Sequence, residues 1–138
     1  MDNADALRQV IERGFGRGDL SVADDFAGET ITEHEYEYEY EYDAPGGRDG
    51  PPLLRTMISD ARTNLVDLTM TVADLVVDGD KVWARSVGHC TDPNTGRRLT
   101  FTVFDLCRFS DGRIVEHWGV PDRYAVSHQA TPVTPQAD

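Results

Sequence analysis

The sequence predicts an α+β fold in which helices from the first half cover one face of a curved antiparallel sheet built from the second. Two observations carry that prediction. Apolar residues recur at helical spacing within residues 4–15, 19–26 and 51–64. From Val66 onward the pattern turns β-branched and alternating, cut by turn signals at Asp78-Gly79, Asp92 to Gly96 and Ser110-Asp111-Gly112. Helices and strands segregated along a chain pack as separate layers, and a sheet bent over helices leaves a deep pocket between them.

The elements follow in order. Leu7, Val10, Ile11 and Phe15 sit at i, i+3, i+4 and i+8 of the first helix, which the glycines at 14, 16 and 18 are expected to end. Asp19 can cap a shorter second helix whose apolar side is Leu20, Ala23 and Phe26. Asp49-Gly50-Pro51-Pro52 reads as the start of a third, with Leu53, Leu54, Met57, Ile58 and Ala61 continuing to about Asn64. Four strands are expected near 66–77, 81–90, 98–109 and 113–120. Two prolines and little apolar content mark 127–138 as a disordered tail behind a single domain over 1–126.

With 13 basic and 25 acidic residues among 138, the net charge of −12 opposes attraction to phosphate backbones or anionic lipid. Nucleic acid and membrane are therefore disfavoured as partners. No basic segment precedes an apolar run at the start, and no stretch approaches the ~20 apolar residues of a spanning helix. A soluble, cytoplasmic protein is expected. Cys90 and Cys107 lie in predicted strands without CxxC spacing and read as buried reduced thiols.

Thr32 to Asp43 reads TEHEYEYEYEYD. Period-two alternation would put His34, Tyr36, Tyr38, Tyr40 and Tyr42 on one strand face and Glu33 through Glu41 on the other. Three readings are open: a solvated acidic segment, an edge strand whose tyrosines pack on the core or a subunit partner, or a strand whose His34 and Tyr36 reach a ligand pocket. The third expects Tyr40 and Tyr42 at a rim or interface.

The strand LTFTVFDLCRF carries the sharpest signal. Leu99, Phe101, Val103, Asp105, Cys107 and Phe109 share one face, an apolar row interrupted by one carboxylate. A buried carboxylate needs a partner or stays protonated, so Asp105 is either held by backbone and hydroxyl groups or is a catalytic or ligand-orienting acid. Its neighbour depends on the hairpin. A three-residue Ser110-Asp111-Gly112 loop sets Phe109 opposite Arg113, Asp105 opposite His117 and Val103 opposite Gly119; a two-residue Asp111-Gly112 turn sets Asp105 opposite Trp118. We take the first, because it places Asp105 beside a residue able to bond it. An Asp-His pair is an acid/base unit: the carboxylate fixes the imidazole, which exchanges protons near neutral pH. His34 and His89 are further pocket candidates. No histidine pair has helical metal-ligand spacing, and no phosphate-binding Gly loop or nucleophile elbow is present, so neither metal nor nucleotide is expected.

The segment FTVFDLCRFSDGRIVEHWGVPDR resembles the C-terminal signature of the SnoaL-like polyketide cyclases, a branch of the NTF2-like superfamily. DLTMTVADLVVDGDKVWARSVG resembles the preceding hairpin of such proteins, and His34 falls where their D-H or N-H pair follows the second helix; the likeness spans most of residues 4–124. The resemblance implies an α+β cone: a bent antiparallel sheet wrapped around three N-terminal helices, enclosing a hydrophobic pocket and dimerising through the sheet. It also implies ring closure of a hydrophobic, polyketide-like substrate by intramolecular aldol condensation, without cofactor, through a pocket aspartate. Gly119 stands where the signature carries an aspartate after His-Trp, and Asp105 matches the other recurrent acidic position. Asp105 and His117 are thus the expected catalytic pair, with His34, Tyr36, His89, Val103 and Trp118 at the substrate. The loss at Gly119 also keeps open a pericyclic or conjugate-addition cyclisation, a non-catalytic binding protein, and an epoxide hydrolase or isomerase of the same fold.

Overall fold

The computed structural model describes residues 1–34 and 47–130. Helix α1 (Asn3–Gln9) starts at Asp2, whose carboxylate accepts from the Asp5 N–H at 2.8 Å. It runs without a break into a π-helical segment, Val10–Phe15, that buries Val10, Ile11 and Gly14. Gly14 does not end the helix. A Cβ there would stand 2.8 Å from Val22 Cγ2, so glycine lets this segment close on helix α2 (Ser21–Phe26). The reversal comes at Gly18, in the left-handed region at φ +77.

Strand β1 (Ala27–Glu33) follows directly, and the two-residue β2 (Arg48–Asp49) leads into α3 (Gly50–Asn64) with proline in its first turn. The chain then builds β3 (Thr69–Asp78), β4 (Lys81–Thr91), β5 (Arg98–Ser110) and β6 (Arg113–Pro121), each within a few residues of expectation. The six strands form one open curved sheet in the order β2-β1-β6-β5-β4-β3. Expected as wholly antiparallel, it contains, among the described residues, one parallel pair: β1 beside β6, with Thr32 opposite Glu116 and Glu33 opposite His117. That pairing sets the start of the Glu-Tyr run beside β6.

The C-terminal expectation needs correction. Residues 123–130 form helix α4 (Arg123–Ala130), so the first part of the anticipated tail is ordered. Asp122 caps it by accepting from the Ala125 N–H at 2.9 Å, and Gln129 bonds both backbone groups of Thr100 on β5. Residues 131–138 lie outside the described region.

The core sits between the inner sheet face and the helices. Leu7, Val10, Ile11, Val22, Leu53 and Ile58 meet Val82, Cys107, Phe109 and Ile114, and a second cluster of Leu68, Cys90, Leu99, Phe101 and Val103 packs under Ala125 and Val126 of α4. Both cysteines are free and buried. Ile58 is fully buried. Ile58→Ala should lower stability by about 2–5 kcal/mol in urea denaturation, a transfer loss plus a cavity under α3.

Candidate active site

The geometry of the site is set by the β5–β6 hairpin. Ser110 pairs with Arg113 across a two-residue turn, with Asp111 and Gly112 both at positive φ, 51 and 75. The three-residue loop expected from sequence is therefore corrected. Unbroken, the two-residue register would have put Asp105 opposite Trp118. The register instead shifts between Arg108 and Phe109: Phe109 faces Ile114 while Arg108 faces Glu116, leaving one extra residue on β6. Beyond this bulge Cys107 faces His117 and Asp105 faces Gly119. The extra residue restores parity, so His117 shares the inner face with Asp105 as a diagonal neighbour rather than as its direct opposite.

The two side chains meet: His117 Nε2 lies 2.7 Å from Asp105 Oδ1. The other ring nitrogen, Nδ1, lies 2.7 and 2.8 Å from the two carboxylate oxygens of Glu33. All three are largely buried, with side-chain exposures of 2% for Glu33, 13% for Asp105 and 14% for His117. Glu33 was missed as a site residue. The alternation of the run does hold at its first step, but with the faces reversed, since Glu33 points in and His34 points out.

Burial by itself would push the His117 pKa down; the negative charge of Glu33, the hydrogen bond with Asp105 and that with Glu33 outweigh it and hold the ring well above 6.5. His117 is thus an imidazolium donating one N–H to each carboxylate. Beside it, burial pushes the Cys107 thiol up to about 12, so Cys107 stays neutral and packs as an apolar group.

Asp105 and His117 form part of the wall of a cavity of about 510 Å³, a volume suited to a drug-sized ligand. Ile11 and Phe15 of the π-helical segment, Leu68, Phe101 and Val103 supply apolar walls, while Asp60, Asn64, Asp122, Arg123 and Ser127 add polar groups from α3 and the β6–α4 junction. The π turn therefore has a local purpose: its wide turn points Ile11 and Phe15 at the ligand space. A void of about 40 Å³, lined by Glu33, Asp105, Cys107 and His117 among apolar residues, lies behind the three ionisable groups.

Of the residues expected at the site, Asp105, His117 and Val103 come together on the cavity. His34, His89 and Trp118 do not, and their placement is corrected. His34 bonds Glu116 Oε2 at 2.9 Å and stacks on Trp118 with ring centroids 4.6 Å apart, both partners belonging to the outer sheet face. His89 bonds Thr100 Oγ1 at 3.0 Å on that same outer face, whereas the inner row of β4 is Val82, Ala84, Ser86, Gly88 and Cys90. Tyr36 and the tyrosines after it lie outside the described residues.

The curved sheet thus carries a buried carboxylate–imidazolium–carboxylate array at one wall of a largely apolar cavity. The chain belongs to the SnoaL-like polyketide cyclase family, whose model matches residues 5–130. Among solved structures it is similar to IdmH from Streptomyces antibioticus, a candidate polyketide cyclase, at 28% identity over 94% of this chain and 98% of that one, TM-score 0.79. A candidate polyketide cyclase from Acidithiobacillus ferrooxidans shares the fold at 20% identity over 94% of each chain, TM-score 0.77. So does AclR from Streptomyces galilaeus, a candidate hydroxylase, at 18% identity over 97% of this chain and 85% of that one, TM-score 0.72. No curated protein matches the chain significantly.

The array makes stability depend on pH. A histidine whose folded pKa is raised contributes stability that is full below its unfolded value, near 6.5, and is lost as pH rises through the folded value. The urea midpoint should therefore fall as pH rises from about neutral into the alkaline range, and Glu33→Gln should flatten that slope; a series of urea titrations measures both.

Proposed function

We propose that the protein is a cofactor-independent cyclase of a polyketide-type natural-product pathway, in which Asp105 is the acid/base and His117, held in turn by Glu33, positions it. The observation that carries this reading is the array itself, with its Asp105 end on the cavity. In an aldol-type closure, Asp105 takes a proton from a carbon between two carbonyls. The electron pair moves onto the carbonyl oxygen, the resulting enolate carbon attacks a second carbonyl in the folded substrate, and the new alkoxide recovers the proton from Asp105. His117 holds the Asp105 carboxylate in place, and Glu33 balances the imidazolium charge so that the pocket floor stays negative and basic.

Gly119 is compatible with this assignment. It lies directly across from Asp105, so the carboxylate that the family signature carries at 119 would project from a cross-strand neighbour toward the same space. Asp105 can serve from the facing strand. Phe101, Val103, Ile11 and Phe15 confine an apolar substrate near its folded shape, which lowers the barrier by proximity whether closure is aldol-type or pericyclic. The lost signature aspartate favours a second reading, a binding protein that retains such a molecule without converting it.

The active form is a cytoplasmic homodimer. The register aligns Val76, Trp83, Leu106 and Trp118 across the outer face of β3 to β6, with Phe104 and Val120 in the next row. Trp83, Phe104 and Val120 are 49, 51 and 68% exposed, an apolar sheet face suited to packing against its own copy.

With an aromatic β-diketone carrying an enolisable methylene, Asp105→Asn should lower the rate of ring closure about 100- to 10,000-fold with the circular dichroism spectrum unchanged. An unchanged rate would remove Asp105 from proton transfer, and retention without product in the wild type would favour the binder. Trp83→Glu should convert dimers to monomers in sedimentation velocity, since it places a charge in the middle of the apolar row.

A further inference from the structure

The outer face of β6 carries a second cluster, back to back with the buried array. The His34 N–H donates to the His117 carbonyl at 2.9 Å. Its imidazole Nε2 lies 2.9 Å from Glu116 Oε2, and its ring stacks on Trp118 at an interplanar angle of 6°. Arg108 Nε donates to Glu116 Oε1 at 2.9 Å, completing a chain Arg108–Glu116–His34–Trp118. Burial of Glu116 opposes its charge, yet the hydrogen bonds from Arg108 and His34 hold its pKa below the ordinary range.

Three facts give this cluster a consequence across the sheet. Successive residues on a strand point to opposite faces, so fixing His34 outside fixes Glu33 inside. The β1–β6 register is irregular between Ala27 and Thr32 and is regular again only at Thr32 opposite Glu116 and Glu33 opposite His117, so the seating of Glu33 depends on the last pairs of the strand, next to His34. The residues flanking His117 on β6, Glu116 and Trp118, are the ones that hold His34 on the outer face, so the end of β1 is anchored immediately beside the residue that Glu33 meets on the inner face, His117.

We propose that His34 is a positioning residue: with Trp118, Glu116 and Arg108 it clamps the end of β1 from the outer face and keeps the Glu33 carboxylate seated on His117 Nδ1. Its functional meaning rests on reading the inner array as the proton-transfer site, but the clamp is testable without turnover. Among the described residues, the charged and titratable groups facing His117 are Glu33 from β1 and Asp105 and Cys107 from β5; the π-helical segment and α3 face it with Ile11, Phe15, Leu54 and Met57, and Asp60 of α3 lines the same cavity. Loss of the clamp acts on one of these, Glu33, which moves out of contact and lets the imidazolium lose its proton at lower pH.

The test is a pH titration of the ring Cε1–H signal of His117 by NMR in full-length, histidine-labelled protein, assigned with His117→Gln. Glu33→Gln should lower the His117 pKa and serves as the reference shift. His34→Ala should move it in the same direction, Glu116→Gln likewise, and His34→Phe, which keeps the stack but not the hydrogen bond, should fall between His34→Ala and wild type. A wild-type titration in His34→Ala, accompanied only by a lower urea midpoint, would overturn the proposal and leave His34 a structural residue. Should His34→Ala fail to fold, the same criterion applies to His34→Phe and Glu116→Gln. An unmoved His117 in Glu33→Gln would instead overturn the reading of the inner array, so the two failures are separable.

Discussion

A buried imidazolium is the constraint around which this molecule is arranged. Removing a charge from water costs several kcal/mol unless partners replace its solvation, and His117 has two ring N–H groups to satisfy. One carboxylate comes from the neighbouring antiparallel strand and the other from a strand running parallel on the opposite side. Neither hairpin neighbours nor helix residues could supply both. The parallel pairing of β1 with β6 is what brings an acidic side chain from the first third of the chain to the far side of the ring.

The π-helical segment, α3 and α4 then keep this array away from bulk water while leaving one end open to a cavity. With water excluded, each hydrogen bond in the array is electrostatically stronger than it would be at the surface, and the three groups hold their geometry without being reordered by solvent. Cys107, neutral beside the ring, adds bulk without a competing charge. The layers divide accordingly: helices close over the cavity, and the sheet carries the ionisable array.

Much of this was legible in the sequence. Helical periodicity and turn dipeptides are local signals, and the elements fall close to where those signals put them. Asp105 was legible because one carboxylate on a row of Leu99, Phe101, Val103, Cys107 and Phe109 has no reading as a solvated face. Glu33 was not, because a perfect Glu-Tyr alternation defines two faces and carries nothing to say which is inward; the expectation that His34 faces the pocket took the wrong one. His89 could have been placed correctly, since its row on β4 holds Lys81, Trp83 and Arg85 while the other holds small and apolar residues. The bulge in β6 left no trace, as Ile114-Val115-Glu116 contains neither Gly nor Pro to mark it. Helix α4 was hidden by its low apolar content, its anchor being the bonding of Gln129 to the backbone of Thr100.

The bulge between Phe109 and Arg108 has an evolutionary corollary. Because strand faces alternate, the loss of one residue from β6 at that point would exchange the two faces of everything after it: His117 and Gly119 would turn outward, while Glu116 and Trp118 turned toward the cavity. A single-codon event would thus replace a charged imidazole with an indole that offers a flat, apolar surface. Two different pocket chemistries lie one indel apart on this scaffold, and diversification within such a fold need not proceed by point substitution of the residues that line the cavity.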